Sequence, residues 1–172
     1  MIAILNGLFD AQAKAIHDHG GEILKFIGDG LLAIFPIEDT ATAGRAATNA
    51  LEAAQEALAA VRRLNGEPSM ADEPPLEIVV ALHVGTVVYG NIGAAQRLDF
   101  TVIGPAVNLV SRLEATAKTL NTPIVLSDHF ARAYGKPLTS LGHYPLRGLA
   151  NRRELFTPML GTEKLTQKPS SA

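Results

Sequence analysis

Asp29 stands between two glycines in the run EILKFIGDGLLAIF (22–35). A carboxylate so placed is sterically free, and its hard oxygens suit Mg²⁺. Asp-Gly is also a good turn dipeptide, which accounts for both residues without a metal. Lys25, four residues earlier, sits among apolar neighbours that imply at least one buried face. A lysine there either snorkels to water or donates to a ligand. Asn108 and Arg112 in PAVNLVSRLEA are four apart, so on a helix they share a face. Together they can hold a phosphate or sugar oxygen, the arginine through its planar fork, or Arg112 can simply pair with a carboxylate. Thr101 follows Asp99 by two in DFTVIG, placing both on one face of a strand. The five histidines, 17, 19, 83, 129 and 143, lack ligand spacing and none is read as a metal ligand.

These side chains need elements to hold them. Ile2, Leu5, Leu8, Phe9, Ala13 and Ile16 recur at helical spacing, and His19-Gly20-Gly21 ends that helix. Gly28-Asp29-Gly30 between two apolar runs predicts a hairpin, because its turn needs positive φ. Asp39 or Thr40 is the expected cap of an alanine-rich helix running to about Leu64. Residues 65–75 carry three prolines and read as a loop. Strands are expected in LEIVVALHVG, in the glycine-punctuated GTVVYGNIG and in DFTVIG. Pro105 suits the first turn of the next helix. The remainder alternates TPIVLS, a brief helix DHFARAYG, LTSLGHYPLRG and RELFTPML, and residues 161–172 read as a disordered tail. The order predicts an α+β sandwich over residues 1–160, with helices on one face of a largely antiparallel sheet.

With 172 residues, 47% of them hydrophobic and 19% charged, the chain can bury one domain's core. A formal charge of −2 is not that of a general nucleic-acid binder. The absence of cysteine excludes disulfides and thiolate metal sites. No apolar run approaches the ~20 residues of a membrane helix, and the N-terminus has no basic segment of a signal peptide. The expected setting is therefore soluble and cytoplasmic.

In combination and order, EILKFIGDGLLAIF and GNIG…DFTVIGPAVNLVSRLE resemble the two signature blocks of class III adenylate and guanylate cyclases, a match covering nearly all of residues 2–160. The resemblance implies a ferredoxin-like cyclase sandwich working as a homodimer or heterodimer with shared active sites. It also implies ATP as substrate, cyclic AMP and pyrophosphate as products, and a two-metal site for Mg²⁺ or Mn²⁺. By position, Asp29 matches a metal-binding aspartate, Lys25 and Thr101 the pair that reads the purine edge, and Asn108 and Arg112 the pair that orients the ribose and stabilises the transition state. Arg147, in LRG, matches a residue for the triphosphate tail. Lys25 can only donate, which suits the N1 acceptor of adenine, while the Thr101 hydroxyl can accept from N6. A guanylate cyclase is expected to carry Glu in place of Lys25.

The chain departs from that family in one respect. Nothing in it resembles the first strand, FxDIxGFT-like, whose Asp is the other metal ligand; Met1 falls within the first helix, at Ile4-Leu5-Asn6. The catalytic domain is accordingly read as N-terminally incomplete, with backbone edges exposed where the central strand would lie. The alternatives are a partner active only in a heterodimer, or an inactive cyclase-homology module for dimerisation or nucleotide binding. A diguanylate cyclase, which HGGEILKFIGDG superficially echoes, is opposed by the Lys25/Thr101 pair and the Asn108–Arg112 helix.

Overall fold

The strand β6 (Ile124–Ser127) has no wet side: all four of its residues are buried. A computed structural model describes residues 2–159 apart from 95 and 96; within that span the side chains of 2, 3, 89, 91–94 and 97–101 are not described. In chain order come α1 (Ile2–Asp18), β1 (Glu22–Ile27), β2 (Gly30–Ile34), α2 (Ala43–Asn65), a 3₁₀ turn (Pro68–Met70), β3 (Val80–Leu82), β4 (Val88–Ala94), β5 (Arg97–Ile103), α3 (Pro105–Thr119), β6, α4 (Asp128–Tyr134), β7 (Thr139–Tyr144) and β8 (Arg153–Thr157). The expected tail, 161–172, lies outside the described residues.

β6 explains the layering. Its even positions, Ile124 and Leu126, join Ala47, Ala50, Leu51 and Ala54 of α2 and Phe130 of α4 in one cluster. Between them Val125 points the other way, into a second cluster with Leu113 and Ala117 of α3, Leu146 and Leu155. Alternation along a strand sends successive side chains to opposite faces, so helices cover both faces of this sheet. The expectation of helices on one face is corrected here. The continuous apolar run IVL was the clue, since a strand buried on both sides has no polar alternate.

The strands form three ladders: β1–β2, β4–β5, and a four-stranded sheet in the order β3-β6-β8-β7. Only β3 and β6 run parallel, as the α3 crossover between them requires. Among the described residues, β2 and β3 share no ladder, although Phe35, just after β2, packs on the same cluster as Val80 and Leu82. Among the described residues the ladders thus divide between β2 and β3. That division shortens the strand expected across LEIVVALHVG to three residues, because one edge of β3 has no hydrogen-bonding partner.

Helix ends follow local chemistry. Gly20 (φ 76) closes α1, with Gly20 N–H donating to His17 O and Gly21 N–H to Ile16 O, the paired bonds of a Schellman end. Gly21 has no room for a side chain: a Cβ would fall 2.6 Å from the Phe35 ring. At α2 the cap shifts from the expected Asp39 or Thr40 to Thr42. Asp39 serves one turn earlier, its carboxylate accepting from Thr42 N–H at 2.8 Å.

The proline-containing loop after α2 is closed by one side chain. Asn65 donates from Nδ2 to Leu76 O and accepts from Leu76 N–H, both at 2.8 Å, as a peptide unit would in a ladder. Replacing Asn65 with Ala strands both backbone groups of a half-buried residue, and the loss is expected to be about 1–3 kcal/mol. The check is urea denaturation, with a lowered midpoint and an unchanged slope.

Candidate functional site

α3 carries the Asn108–Arg112 pair, and three local features seat its start. Gly104 (φ 143) precedes it, and a Cβ there would lie 3.2 Å from Thr86 O. Pro105 takes the first helical position, where no N–H is needed. Gly104 O then accepts from the N–H groups of Val107 and Asn108. Leu113 and Ala117 turn fully inward. Asn108 is left exposed, and Arg112 is half-buried beside it.

Arg112 does not reach toward a carboxylate. Among the described residues neither it nor Arg147 forms a salt bridge. Its guanidinium instead lies over Gly148, where an added Cβ would fall 3.2 Å from a terminal nitrogen. Leu146 to Leu149 is a tight turn, with Leu149 N–H donating to Leu146 O at 3.0 Å and Gly148 at φ 77. Positive φ at the third residue is the type II requirement that glycine meets. Buried Leu146, in the cluster with Leu113, anchors this turn against α3. Arg147, exposed at its tip, is thereby brought next to Arg112. Two cations and an amide on these neighbouring elements, with no salt-bridged carboxylate among the described residues, form a natural anion-binding face.

The other predicted residues lie elsewhere in the chain. Asp29 is exposed in the two-residue turn joining β1 and β2, where Ile27 pairs with Gly30. Gly28 alone takes positive φ there (62), as when glycine leads a II′ turn. Lys25 pairs with Leu32 just past a β-bulge at Leu24, which resets its facing. The expected buried face at Lys25 is absent: Lys25, Phe26 and Ile27 are all exposed, because the end of this hairpin projects beyond the core. Thr101 is on β5, its backbone in register with Gly90; its side chain lies outside the described residues.

Asp29 and the Asn108–Arg112 pair sit on different elements, the β1–β2 turn and α3. Lys118, in the last turn of α3, has its pKa raised mainly by its hydrogen bond and ion pair with Glu114, and the Asp29 carboxylate adds a smaller electrostatic contribution. The carboxylate is thus close enough to act on Lys118, and Asn108 lies ten residues, or ~15 Å, earlier along the helix axis. Among the described residues no three His, Cys, Asp or Glu side chains gather as a metal cluster. One exposed carboxylate still fits a hydrated Mg²⁺, which commonly takes one or two protein carboxylates and completes its shell with water and substrate phosphate. No described helix is long and apolar enough to cross a membrane.

Sequence reasoning did not single out Gly148, whose role as the seat of Arg112 depends on a contact across the fold. The only local signal was LRGL, a good turn sequence. It also treated His83 and His129 as scattered, whereas the fold brings their rings edge to face at 5.3 Å.

Residues 1–157 match the family model described as the adenylate and guanylate cyclase catalytic domain. An adenylate cyclase of Anabaena cylindrica is 35% identical over 137 residues, covering 77% of this chain and 26% of that protein. Adenylate cyclase 1 of Rhizobium meliloti is 34% identical over 131 residues, covering 74% and 19%. The chain thus spans about a quarter or less of these relatives' length. Among solved structures, the adenylyl cyclase CyaB from P. aeruginosa superposes with a TM-score of 0.77 at 24% identity, covering 90% of this chain and 80% of that one. The guanylyl cyclase Cya2 gives 0.71 at 29% identity, with 90% and 78% covered.

Gly148→Ala tests the seat of Arg112. The substitution strains a positive-φ backbone and drives a methyl into the guanidinium, so it is expected to cost about 1–3 kcal/mol of stability. Thermal and urea unfolding should show the loss.

Proposed function

This chain belongs to the adenylate and guanylate cyclase catalytic-domain family, and on that premise we propose that it is an adenylate cyclase domain, converting ATP to 3′,5′-cyclic AMP and pyrophosphate. The observation that carries this reading is the face formed by Asn108, Arg112 and the Arg147 turn, where among the described residues neither arginine forms a salt bridge.

The ribose 3′-oxygen attacks the α-phosphorus, the bond from that phosphorus to the bridging oxygen breaks, and pyrophosphate leaves with its electrons. The hydroxyl proton passes to solvent or phosphate. Asn108 holds the ribose so that its 3′-oxygen lines up with the bond that breaks. Arg112 adds positive charge where negative charge builds on the phosphoryl oxygens, and Arg147 takes the outer phosphates. Lys25 donates to adenine N1 and the Thr101 hydroxyl accepts from N6. Asp29 would hold a divalent cation, Mg²⁺ or Mn²⁺, whose charge offsets that of the phosphates.

A complete site is read as shared between two chains, Asp29 of one meeting Asn108 and Arg112 of the other. Exposed apolar side chains support such pairing. Phe26 and Ile27 at the end of β1, and Val88 and Ile103, which are in register across β4 and β5, are each half exposed or more. The dimer would be a homodimer, or a heterodimer with another cyclase domain. The expected setting is the cytoplasm, where ATP and reduced conditions prevail.

One observation favours a second reading. Among the described residues Asp29 belongs to no group of three His, Cys, Asp or Glu side chains that could hold a metal, which suits a module that binds nucleotide or pairs with another cyclase domain without turnover.

The chain carrying an added N-terminal first strand is expected to turn ATP, but not GTP, into the cyclic product with Mn²⁺ or Mg²⁺; the 172-residue chain alone should be far slower. Chromatography of the nucleotides reads this out. Absence of cyclic AMP from both removes the enzyme reading, and ATP binding by calorimetry without turnover supports the second. Replacing Lys25 with Glu and Thr101 with Cys should move preference toward GTP. An unchanged preference would remove these two from base reading.

A further inference from the structure

His83 follows β3 directly. The register pairs Leu82 with Leu126, which brings the next residues, His83 and Ser127, side by side, with His83 Nδ1 2.8 Å from Ser127 Oγ. Ser127 is 2% exposed and caps α4, where its Oγ already accepts from Phe130 N–H at 3.0 Å. A hydroxyl has one proton to give. In a neutral imidazole one proton lies between Ser127 Oγ and His83 Nδ1, carried by either the hydroxyl or the ring. The far side of the ring meets Gly85: a Cβ there would fall 2.8 Å from His83 Nε2 and 2.8 Å from the Ala106 Cβ. Ala106 belongs to the first turn of α3, two residues before Asn108. An unbroken line of contact thus runs from the cap of α4 through His83 and Gly85 to the start of α3.

We propose that His83 is a positioning residue: its neutral ring, held by Ser127, sets where the first turn of α3 stands and so how Asn108 and Arg112 face the nucleotide. The nucleotide part rests on the proposed cyclase function; the coupling between His83 and α3 does not. Gly85 is the conforming half of this device, since any side chain there would push the ring and the helix apart.

The surroundings keep the ring uncharged. Burial, above all, pushes the pKa of His83 down to about 4; the neighbouring His129 and Arg153 push the same way, and Asp128 opposes them. His129 stands edge-on at 5.3 Å. Asp128 is engaged by His129, by Arg132 and by Arg153, while the first turn of α3 brings only uncharged Ala106. Protonation puts an N–H on both ring nitrogens, so Ser127 Oγ can then only accept from Nδ1 and its own proton must turn elsewhere. The folded pKa lies below the ordinary ~6.5. The unfolded chain then binds more protons between the two values, so stability is full above about pH 6.5 and falls toward pH 4.

Two variants separate the roles. His83→Asn keeps an acceptor near the place of Nδ1, and His83→Leu removes it. In ¹H–¹⁵N spectra of the 172-residue chain, the amides of Val107 and Asn108 should move with the His83 titration in the wild type. They should stay flat in His83→Asn at near-wild-type shifts, and be displaced in His83→Leu. In the strand-supplemented chain with ATP, His83→Leu should lower kcat by on the order of tenfold to a hundredfold, with a smaller change in KM and rescue by His83→Asn. Wild-type α3 amides that ignore the His83 titration would overturn the proposal, even if His83→Leu does not fold. So would identical α3 shifts in the two folded variants. Moving amides without any cyclase activity would leave the coupling standing and remove only the nucleotide part.

Discussion

A strand with no solvent-facing side must be covered twice, and the rest of this molecule follows from how β6 is covered. Val125, Leu126 and Ser127 are essentially inaccessible, and each commits a neighbouring element. Leu126 and Ile124 fix α2 and α4 on one face. Val125 fixes α3 on the other, and Ser127 ends the strand by capping α4 and engaging His83. Losing tight contacts along such a strand is costly because interiors close-pack and relax only partly. The placement of α3, and with it Asn108 and Arg112, is therefore a consequence of packing at β6 rather than of the helix's own propensity.

The second consequence is electrostatic. Leu146, held in the same cluster as Leu113, brings the 146–149 turn against α3. A glycine at its third position lets the Arg112 guanidinium lie flat on backbone. Packing thus sets the Arg147 turn beside Arg112, and among the described residues neither arginine forms a salt bridge. Asp29 lies on another element, the turn between β1 and β2.

Much of this was legible in the residues. The Gly28-Asp29-Gly30 hairpin, the alanine-rich second helix and Pro105 opening the third all follow from local rules, and the structure has them within a few residues. What was missed has a common cause. The two-sided cover of IVL depends on which elements lie above and below the strand, and sequence order does not reveal that. The shortened β3 depends on a partner strand, not on the propensity of LEIVVALHVG. Lys25 was expected to be partly buried from its apolar neighbours, yet the hairpin outruns the core. Gly148 and the His83–Ser127 contact join residues 36 and 44 positions apart, beyond the reach of any local pattern. The cyclase family itself was readable, because the blocks around Asp29 and Asn108 combine several weak signals in a fixed order.

The central claim is that Asp29 of one chain works with Asn108 and Arg112 of another, and mixing two disabled variants tests it most directly. Asp29→Ala and Arg112→Ala, each in the strand-supplemented chain, should be inactive alone; mixed and allowed to exchange partners, they should regain part of the ATP-to-cyclic-AMP activity, because one of the two shared sites then keeps both groups. A mixture that forms mixed dimers yet stays as inactive as the separate variants, beside an active parent, would contradict the account.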